Sequence, residues 1–125
     1  TGVSNGVYLD DFWVFDPTTE SWTSKLDLDE EDDYSIARSN AVGFTLNGYG
    51  YIATGELGGA TNTVWEYDPA SDEWEQKTSF EGATRQDAIA FSNGSRVFIG
   101  MGRTGTLYLD DLDEFFPLDE YDDED

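Results

Sequence analysis

The sequence contains no cysteine and no histidine among its 125 residues. Without cysteine it can form no disulfide, thiolate metal site or cysteine nucleophile, and without histidine it has no imidazole base or imidazole metal ligand. These absences exclude the common hydrolase triads and histidine-bound zinc or copper from this chain. Long apolar runs are also missing, so the sequence predicts no membrane span.

Basic residues are scarce, with six Lys and Arg against 28 Asp and Glu and a net charge of −22. Nucleic acid is therefore a poor partner, because the phosphate backbone and the chain repel each other. Aromatic residues make up 15% of the sequence, which argues against a disordered chain. The length and the aromatic content predict one small domain with a core of its own.

Two segments without a single base hold much of the acidity. Residues 27–33 contain six acids and residues 110–125 contain ten, and removing these 16 charges from −22 leaves −6. We favour a solvated loop and a solvated tail over cation capture or attraction of a basic partner. Residues 27–38 do not match a helix–loop–helix calcium site, because they lack its glycine and have Arg38 at the twelfth position.

An internal repeat is the strongest signal in the sequence. The recurring stretches are 12–17 at 64–69, Trp22 at Trp74, 37–55 at 84–102, and 8–11 at 108–111. The first two pairs lie 52 residues apart and the third pair lies 47 residues apart. The two offsets differ by five residues, which indicates an insertion in the acidic segment 27–33. A period of ~50 residues is that of a propeller blade.

Each repeat predicts four short antiparallel strands joined by turns. Apolar and polar residues alternate around Trp13 and Trp65, as they do in a half-buried strand. Further strands are predicted around Trp22 and Trp74 and at 41–46, 49–55, 88–92, 96–102 and 107–117. The predicted turns are Asp16-Pro17, Asp68-Pro69, Asn47-Gly48 and Asn93-Gly94. No stretch keeps a helical period over ten residues, so the sequence predicts an all-β chain.

These residues resemble the kelch repeat, which runs from an arginine through a small-apolar strand, an Asn-Gly turn and an aromatic strand ending in glycine to Tyr-Asp-Pro and a tryptophan. The matching positions are Arg38, 41–46, Asn47-Gly48, Tyr51-Ile52, Gly55, 65–69 and Trp74. The resemblance covers nearly all of residues 7–117 and is greatest for bacterial secreted kelch proteins. Thr54-Gly55 and Met101-Gly102 depart from the usual glycine pair. The third copy also deviates, with Asp113 in the place of the tryptophan and Phe116 in the place of the aspartate.

The resemblance implies an all-β β-propeller segment of about two and a quarter four-stranded antiparallel blades, which is an incomplete ring. The implied divisions are a propeller segment 1–117 and an acidic C-terminal tail 118–125. Within the segment, 7–26 supply the outer strands of one blade, 37–78 a complete blade and 84–117 the start of the last blade. The expected partner is the missing N-terminal remainder of the propeller, or further copies of this chain. A clash between 107–117 and 7–17 of a next copy favours the remainder.

Four residues are candidates for ligand binding. Arg38 and Arg85 begin equivalent inner strands, and in sugar-binding members of the family arginines in such loops hold carboxylates. Their presence in both copies favours a structural pairing with an acid or a carbonyl, because a site is normally built once. Glu56 and Arg103 follow the second strand of each repeat and differ in charge, as a binding site would require.

The remaining singled-out residues are interpreted as architecture. Paired carboxylates that could chelate a cation occur at Asp10, Asp11, Asp110 and Asp111. We favour the interpretation that they solvate the start of a strand. Tryptophans that could stack on a sugar are Trp13, Trp22, Trp65 and Trp74. We favour the interpretation that they pack between blades. Turn and strand-end residues of the repeat are Asp16, Pro17, Asp68, Pro69, Gly55 and Gly102.

The predicted function is non-catalytic recognition of a protein or glycan ligand, with no cofactor. The resemblance implies an extracytoplasmic bacterial location, whether secreted, periplasmic or anchored at the cell surface. The alternative is an enzyme like a sugar-acid mutarotase or epimerase, using arginines and carboxylates at the propeller channel. Copper-radical oxidases share this propeller type, but the histidines and the Cys–Tyr crosslink that they need cannot come from this segment.

Overall fold

The computed structural model describes residues 1–25 and 36–116. The predictions for the acidic segment 27–33 and for the tail 118–125 fall outside these residues. The described residues form strands, turns and loops without any helix, so the all-β prediction is confirmed. It follows that no helix of the described ranges is long and apolar enough to cross a membrane.

Thirteen strands are present in the described ranges. They are β1 (Val3–Ser4), β2 (Val7–Tyr8), β3 (Trp13–Asp16), β4 (Ser21–Ser24), β5 (Val42–Leu46), β6 (Tyr49–Ala53), β7 (Val64–Asp68), β8 (Glu73–Lys77), β9 (Ile89–Ser92), β10 (Val97–Gly100), β11 (Arg103–Thr104), β12 (Leu107–Tyr108) and β13 (Leu112–Phe115). Nine of these strands have four or five residues and correspond to the predicted ones. The other four have two residues each, and of these only β12 falls within a predicted strand, 107–117.

The strands pair into five antiparallel sheets. The first sheet is β3–β4, the middle sheet is β5-β6-β7-β8, and the last sheet has the order β13-β10-β9. Two ribbons complete the set, the first ribbon β1–β2 and the second ribbon β11–β12. The last sheet repeats the order of the first three strands of the middle sheet, and the first sheet repeats its last two.

Local turn chemistry explains where the middle sheet folds back on itself. Asn47 and Gly48 both have positive φ, 53° and 85°, in a two-residue turn that pairs Leu46 with Tyr49. At the next hairpin the Asp68 carboxylate accepts a hydrogen bond from the Ala70 amide at 2.9 Å. The equivalent Asp16 carboxylate accepts one from the Thr18 amide at 2.8 Å, so both Asp-Pro turns have the same geometry.

Three predicted strand boundaries need correction. The predicted strands 49–55 and 96–102 end at Ala53 and Gly100, because Thr54 and Met101 turn the backbone into the left-handed region with φ of 58° and 59°. The predicted strand 107–117 is divided, since β12 belongs to the second ribbon and β13 belongs to the last sheet.

The core lies on both faces of the middle sheet, because successive residues of a strand point to opposite faces. One layer joins the middle sheet to the last sheet and consists of Val42, Leu46, Tyr51, Ala53, Val64, Phe80, Val97, Ile99 and Phe115. The other layer consists of Ile36, Trp65, Tyr67 and Trp74, with Phe12 packed against it. The middle sheet is therefore covered on both sides.

The two end sheets each leave an apolar face exposed. On the first sheet, Trp13, Phe15 and Trp22 are about half exposed or more, although Trp65, Tyr67 and Trp74 are buried at the equivalent positions. On the last sheet, Ile89 and Phe91 are half exposed, whereas the equivalent Val42 and Phe44 lie against the last sheet. Each exposed face thus corresponds to a covered face of the middle sheet.

Candidate functional site

Arg38 is completely buried and fastens three segments of backbone together. Its Nε donates to the Ile36 carbonyl at 3.0 Å, and its Nη1 donates to the Thr54 carbonyl at 2.8 Å. Its Nη2 donates to the Thr63 hydroxyl at 2.9 Å. The structure therefore places this ligand-binding candidate in the interior, with its donors directed at the chain itself.

Arg85 repeats this arrangement with a carboxylate partner. Its side chain is completely buried, and its two terminal nitrogens donate to the two carboxylate oxygens of Asp111, both at 2.7 Å. The Nε donates to the Ala83 carbonyl at 3.0 Å, and the guanidinium lies over the Phe80 ring at 4.9 Å. This hydrogen bonding holds the pKa of Asp111 below its usual value, although partial burial opposes the shift.

Glu56 and Arg103 occupy equivalent loop positions at the end of the sheets where β5 and β9 begin. The backbone of Glu56 exchanges two hydrogen bonds with Ser39, at 3.0 and 2.7 Å. The backbone of Arg103 exchanges two with Gln86, both at 2.9 Å. These paired bridges fix the two charged side chains on a rigid backbone.

The Gln86 side chain joins the two candidates. With its amide oriented to satisfy both neighbours, the amide nitrogen donates to Glu56 Oε2 at 2.8 Å, and the amide oxygen accepts from Arg103 Nη2 at 2.9 Å. Arg103 Nε also donates to Asp87 Oδ2 at 3.0 Å, and Asn40 Nδ2 donates to Asp87 Oδ1 at 2.6 Å. We call these five residues, Asn40, Glu56, Gln86, Asp87 and Arg103, the Gln86 cluster.

The Gln86 cluster combines a buried centre with an accessible rim. Gln86 is buried, whereas about two fifths of the Arg103 and Asp87 side chains are exposed, 41% and 43%. The Asn40 hydrogen bond, followed by that from Arg103, holds the pKa of Asp87 below its usual value. The cluster therefore presents carboxylates, a guanidinium and an amide side by side, which suits a polar ligand with both donors and acceptors.

The acidic candidates are not brought together as a metal site. Asp11 Oδ2 accepts a hydrogen bond from the Trp13 indole at 2.9 Å, and Asp111 binds Arg85. No group of three or more acidic side chains within the described ranges is arranged to hold a metal ion. Asp10 and Asp110 therefore gain no metal-binding role from the geometry.

The four tryptophans fall into two pairs of different accessibility. Trp65 and Trp74 are buried in the middle sheet, where the Trp74 ring lies 5.1 Å from those of Phe12 and Tyr67. Trp13 and Trp22 are exposed on the first sheet. Trp65 and Trp74 therefore have a packing role. Trp13 and Trp22 are not packed in this way by any residue of the ranges 1–25 and 36–116.

Three members of the cluster were not among the candidates from the sequence. Gln86 and Asp87 directly follow Arg85, and the equivalent residues after Arg38 are Ser39 and Asn40. This difference in an otherwise repeated stretch was the available signal. What the sequence does not contain is the backbone bridge that brings Gln86 beside Arg103.

The fold and the site together define an all-β protein that is built from repeated antiparallel sheets and carries a polar loop cluster at one end. Comparison of the sequence with models of known protein families and with curated proteins finds no match. The function is therefore argued from the site and from the repeat.

Proposed function

We propose that this chain is part of a kelch-type β-propeller and serves as a non-catalytic recognition module that binds a protein or glycan ligand at the Gln86 cluster. The observation that carries this proposal is the meeting of Glu56 and Arg103 on one Gln86 side chain. These residues occupy equivalent positions of two repeats and carry opposite charges. Loops that differ on a common rigid scaffold are where recognition sites are usually built.

The repeated strand registers support the propeller assignment. Ile52 pairs with Trp65 in the middle sheet, and Ile99 pairs with Asp113 at the same place in the last sheet. The middle, last and first sheets have four, three and two strands in matching order, which corresponds to about two and a quarter four-stranded blades of an incomplete ring. The extracytoplasmic bacterial location follows from the resemblance to secreted kelch proteins alone.

The chemistry of the cluster favours a hydroxyl-rich ligand among the two classes. Glu56 and Asp87 supply acceptors, Arg103 and Asn40 supply donors, and all four have planar polar groups that bind neighbouring hydroxyls in pairs. The Asp87 carboxylate is paired with Arg103 and the Glu56 carboxylate accepts from the Gln86 amide, so a neutral sugar can enter without separating either charge from its partner.

The alternative of a sugar-acid mutarotase or epimerase receives less support. Such an enzyme needs an arginine for the carboxylate and a general base beside it. Arg38 and Arg85 are enclosed by their own carbonyl and carboxylate partners, and the lowered pKa of Asp87 makes it a weak base at neutral pH. Arg103 and Asp87 are better suited to holding a ligand than to moving a proton.

A printed glycan array probed with the labelled chain tests the proposal. We expect binding to a subset of glycans, with the signal lowered at least about ten-fold by Arg103→Gln and by Glu56→Gln, because each removes a charged hydrogen-bond partner. Arg96→Gln is the matched control. Arg96 is also an exposed arginine in an ion pair, but it lies at the other end of β10.

Two results would contradict recognition at this cluster. One is glycan binding that Arg103→Gln and Arg96→Gln affect equally. The other is catalysis, detected by nuclear magnetic resonance as faster interconversion of the anomers of a sugar acid when the chain is added and slower interconversion with the Arg103 variant.

A further inference from the structure

An asparagine in the turn between β9 and β10 stands in the acceptor motif for an N-linked glycan. Asn93-Gly94-Ser95 has a hydroxyl residue two positions after the asparagine and no proline between them. The sequence has five asparagines, and the other four are followed at this position by valine or tyrosine. Asn93 is therefore the one position of the chain at which this motif can direct a glycan.

The turn holds the motif at the surface. Residues 91–96 are all exposed, and residues 93–95 lie between the two strands. The corresponding turn of the middle sheet, Asn47-Gly48, lies beside it, since the Asn47 amide donates to the Gly94 carbonyl at 3.0 Å. That turn is exposed as well, although the middle sheet is covered on both faces. The exposure of Asn93 therefore does not depend on the uncovered face of the last sheet.

The Asn93 side chain is held through its oxygen. Oδ1 accepts hydrogen bonds from the Ser95 amide at 3.0 Å, from the Ser95 hydroxyl at 3.1 Å and from the Arg96 amide at 2.9 Å. Three donors around one atom identify that atom as the oxygen and direct the amide nitrogen away from them. The turn therefore fixes the amide group and brings the hydroxyl of the motif next to it.

The nitrogen that would carry the glycan is not engaged. Asn93 Nδ2 makes no hydrogen bond within residues 1–25 and 36–116. By contrast, Asn40 Nδ2 donates to Asp87 Oδ1 at 2.6 Å, and Asn62 Nδ2 donates to the Phe80 carbonyl at 3.1 Å. Asn93 Nδ2 can therefore react without breaking a contact of the described fold.

The motif and the Gln86 cluster lie at opposite ends of β9. Gln86 and Asp87 precede the strand, which begins at Ile89, whereas Asn93 directly follows its last residue, Ser92. The four residues of this strand separate the two sites by about 13 Å or more. A glycan on Asn93 would therefore point away from the cluster and leave it accessible to a ligand.

We propose that Asn93 is the acceptor of an N-linked oligosaccharide, which an oligosaccharyltransferase transfers from a polyprenyl pyrophosphate donor. Asn93 Nδ2 forms a bond to C1 of the first sugar while the bond from C1 to the pyrophosphate oxygen breaks. One proton of Nδ2 passes to a base of the transferase, and the polyprenyl pyrophosphate leaves. The proposal rests on the extracytoplasmic location proposed above, but not on ligand binding at the Gln86 cluster, so either can fail without the other.

Glycosylation of the folded full chain in vitro tests the proposal. The chain is incubated with a lipid-linked oligosaccharide and an oligosaccharyltransferase that needs only the three-residue motif, and the products are read by intact mass and by peptide mapping. We expect a single glycan on Asn93, added at a rate within about ten-fold of that for a peptide of residues 90–98. Ser95→Thr keeps the hydroxyl and should keep the modification.

Two further variants locate the acceptor. Ser95→Ala should lower the glycosylated fraction at least about ten-fold, because it removes the hydroxyl that the motif requires. Asn47→Gln is the matched control and should change nothing, since Asn47 also lies in an exposed Asn-Gly turn but is followed by Tyr49. The proposal is overturned by modification of the peptide without the folded chain, by modification of neither, or by a glycan on another residue.

Discussion

Asp111 supplies the negative charge that faces the buried guanidinium of Arg85. Asp111→Asn keeps the shape of the side chain but leaves that guanidinium with a neutral partner. We expect the free energy of unfolding to fall by about 2 kcal/mol, which is less than for a fully enclosed pair because 40% of the Asp111 side chain is exposed. Urea unfolding of the variant and the parent chain measures the difference.

Glu114→Gln provides the control for this substitution. Glu114 also binds an arginine through both carboxylate oxygens, at 2.6 and 3.1 Å, but Arg96 is exposed to solvent. We expect its replacement to leave the unfolding midpoint in urea unchanged within error. Equal losses in the two variants would mean that burial of Arg85 does not decide the stability.

The same pair makes a defined contribution to the pH dependence of stability. The hydrogen bond from Arg85 lowers the pKa of Asp111 in the folded chain below the ordinary value of about 3.9. Its stabilisation is therefore fully present above about pH 4 and is lost as the pH falls through the folded pKa. The stability difference between the parent and Asp111→Asn should shrink from about pH 6 to about pH 2, and a constant difference would contradict this.

Alanine substitutions at Gly102 and Gly48 distinguish the cost of backbone strain from the cost of a steric clash. Both have positive φ, 86° and 85°, but a Cβ at Gly102 would meet the Gln86 carbonyl at 2.5 Å, whereas a Cβ at Gly48 meets nothing within 4 Å. We expect Gly48→Ala to cost about 1 kcal/mol of unfolding free energy and Gly102→Ala about 3 kcal/mol or more. Thermal or urea unfolding of the two variants measures this, and equal losses would argue against close packing at Gly102.

At the scale of strands, equivalent tryptophans of β4 and β8 should differ in their energetic importance. Trp74 is buried between Phe12 and Tyr67, whereas 65% of Trp22 is exposed. We expect Trp74→Ala to lower the free energy of unfolding by about 3 kcal/mol or more, and Trp22→Ala by less than about 1 kcal/mol. Comparable losses in urea unfolding would mean that the face with Trp22 is covered in solution.

The nine longer strands follow from the sequence because each has a signal of its own. Alternation around Trp65, the Asp68-Pro69 turn and the Asn47-Gly48 turn define the middle sheet, and the repeat transfers this pattern to the other two sheets. The two-residue strands of the ribbons are too short to show any period. Their pairing depends on loop closure, as in the second ribbon, where Arg103 pairs with Tyr108.

The site could be predicted from the sequence only in part. Glu56 and Arg103 stand out because equivalent loop positions carry different charges. Their connection through Gln86 is a contact between loops distant in sequence, and no local pattern reports it. The burial of Arg38 and Arg85 follows from the packing of whole sheets, so the sequence left both a ligand-binding and a structural role open for them.

At the scale of the whole molecule, the middle sheet is covered on both faces and the last sheet on one, whereas every residue of the first sheet is exposed. Stability should therefore be uneven along the chain, because amides in covered sheets open to solvent only through large-scale unfolding. The first sheet, with two strands and an exposed aromatic face, should open far more easily.

Hydrogen–deuterium exchange of the chain, resolved by peptide, tests this uneven coverage of the sheets most directly. The slowest exchange should lie in β6, β7 and β10, which have strands on both sides and buried side chains. Exchange in β3 and β4 should be at least about 100-fold faster. Equally slow exchange in β3–β4 and in β6–β7 would contradict a covered middle sheet beside an exposed first sheet.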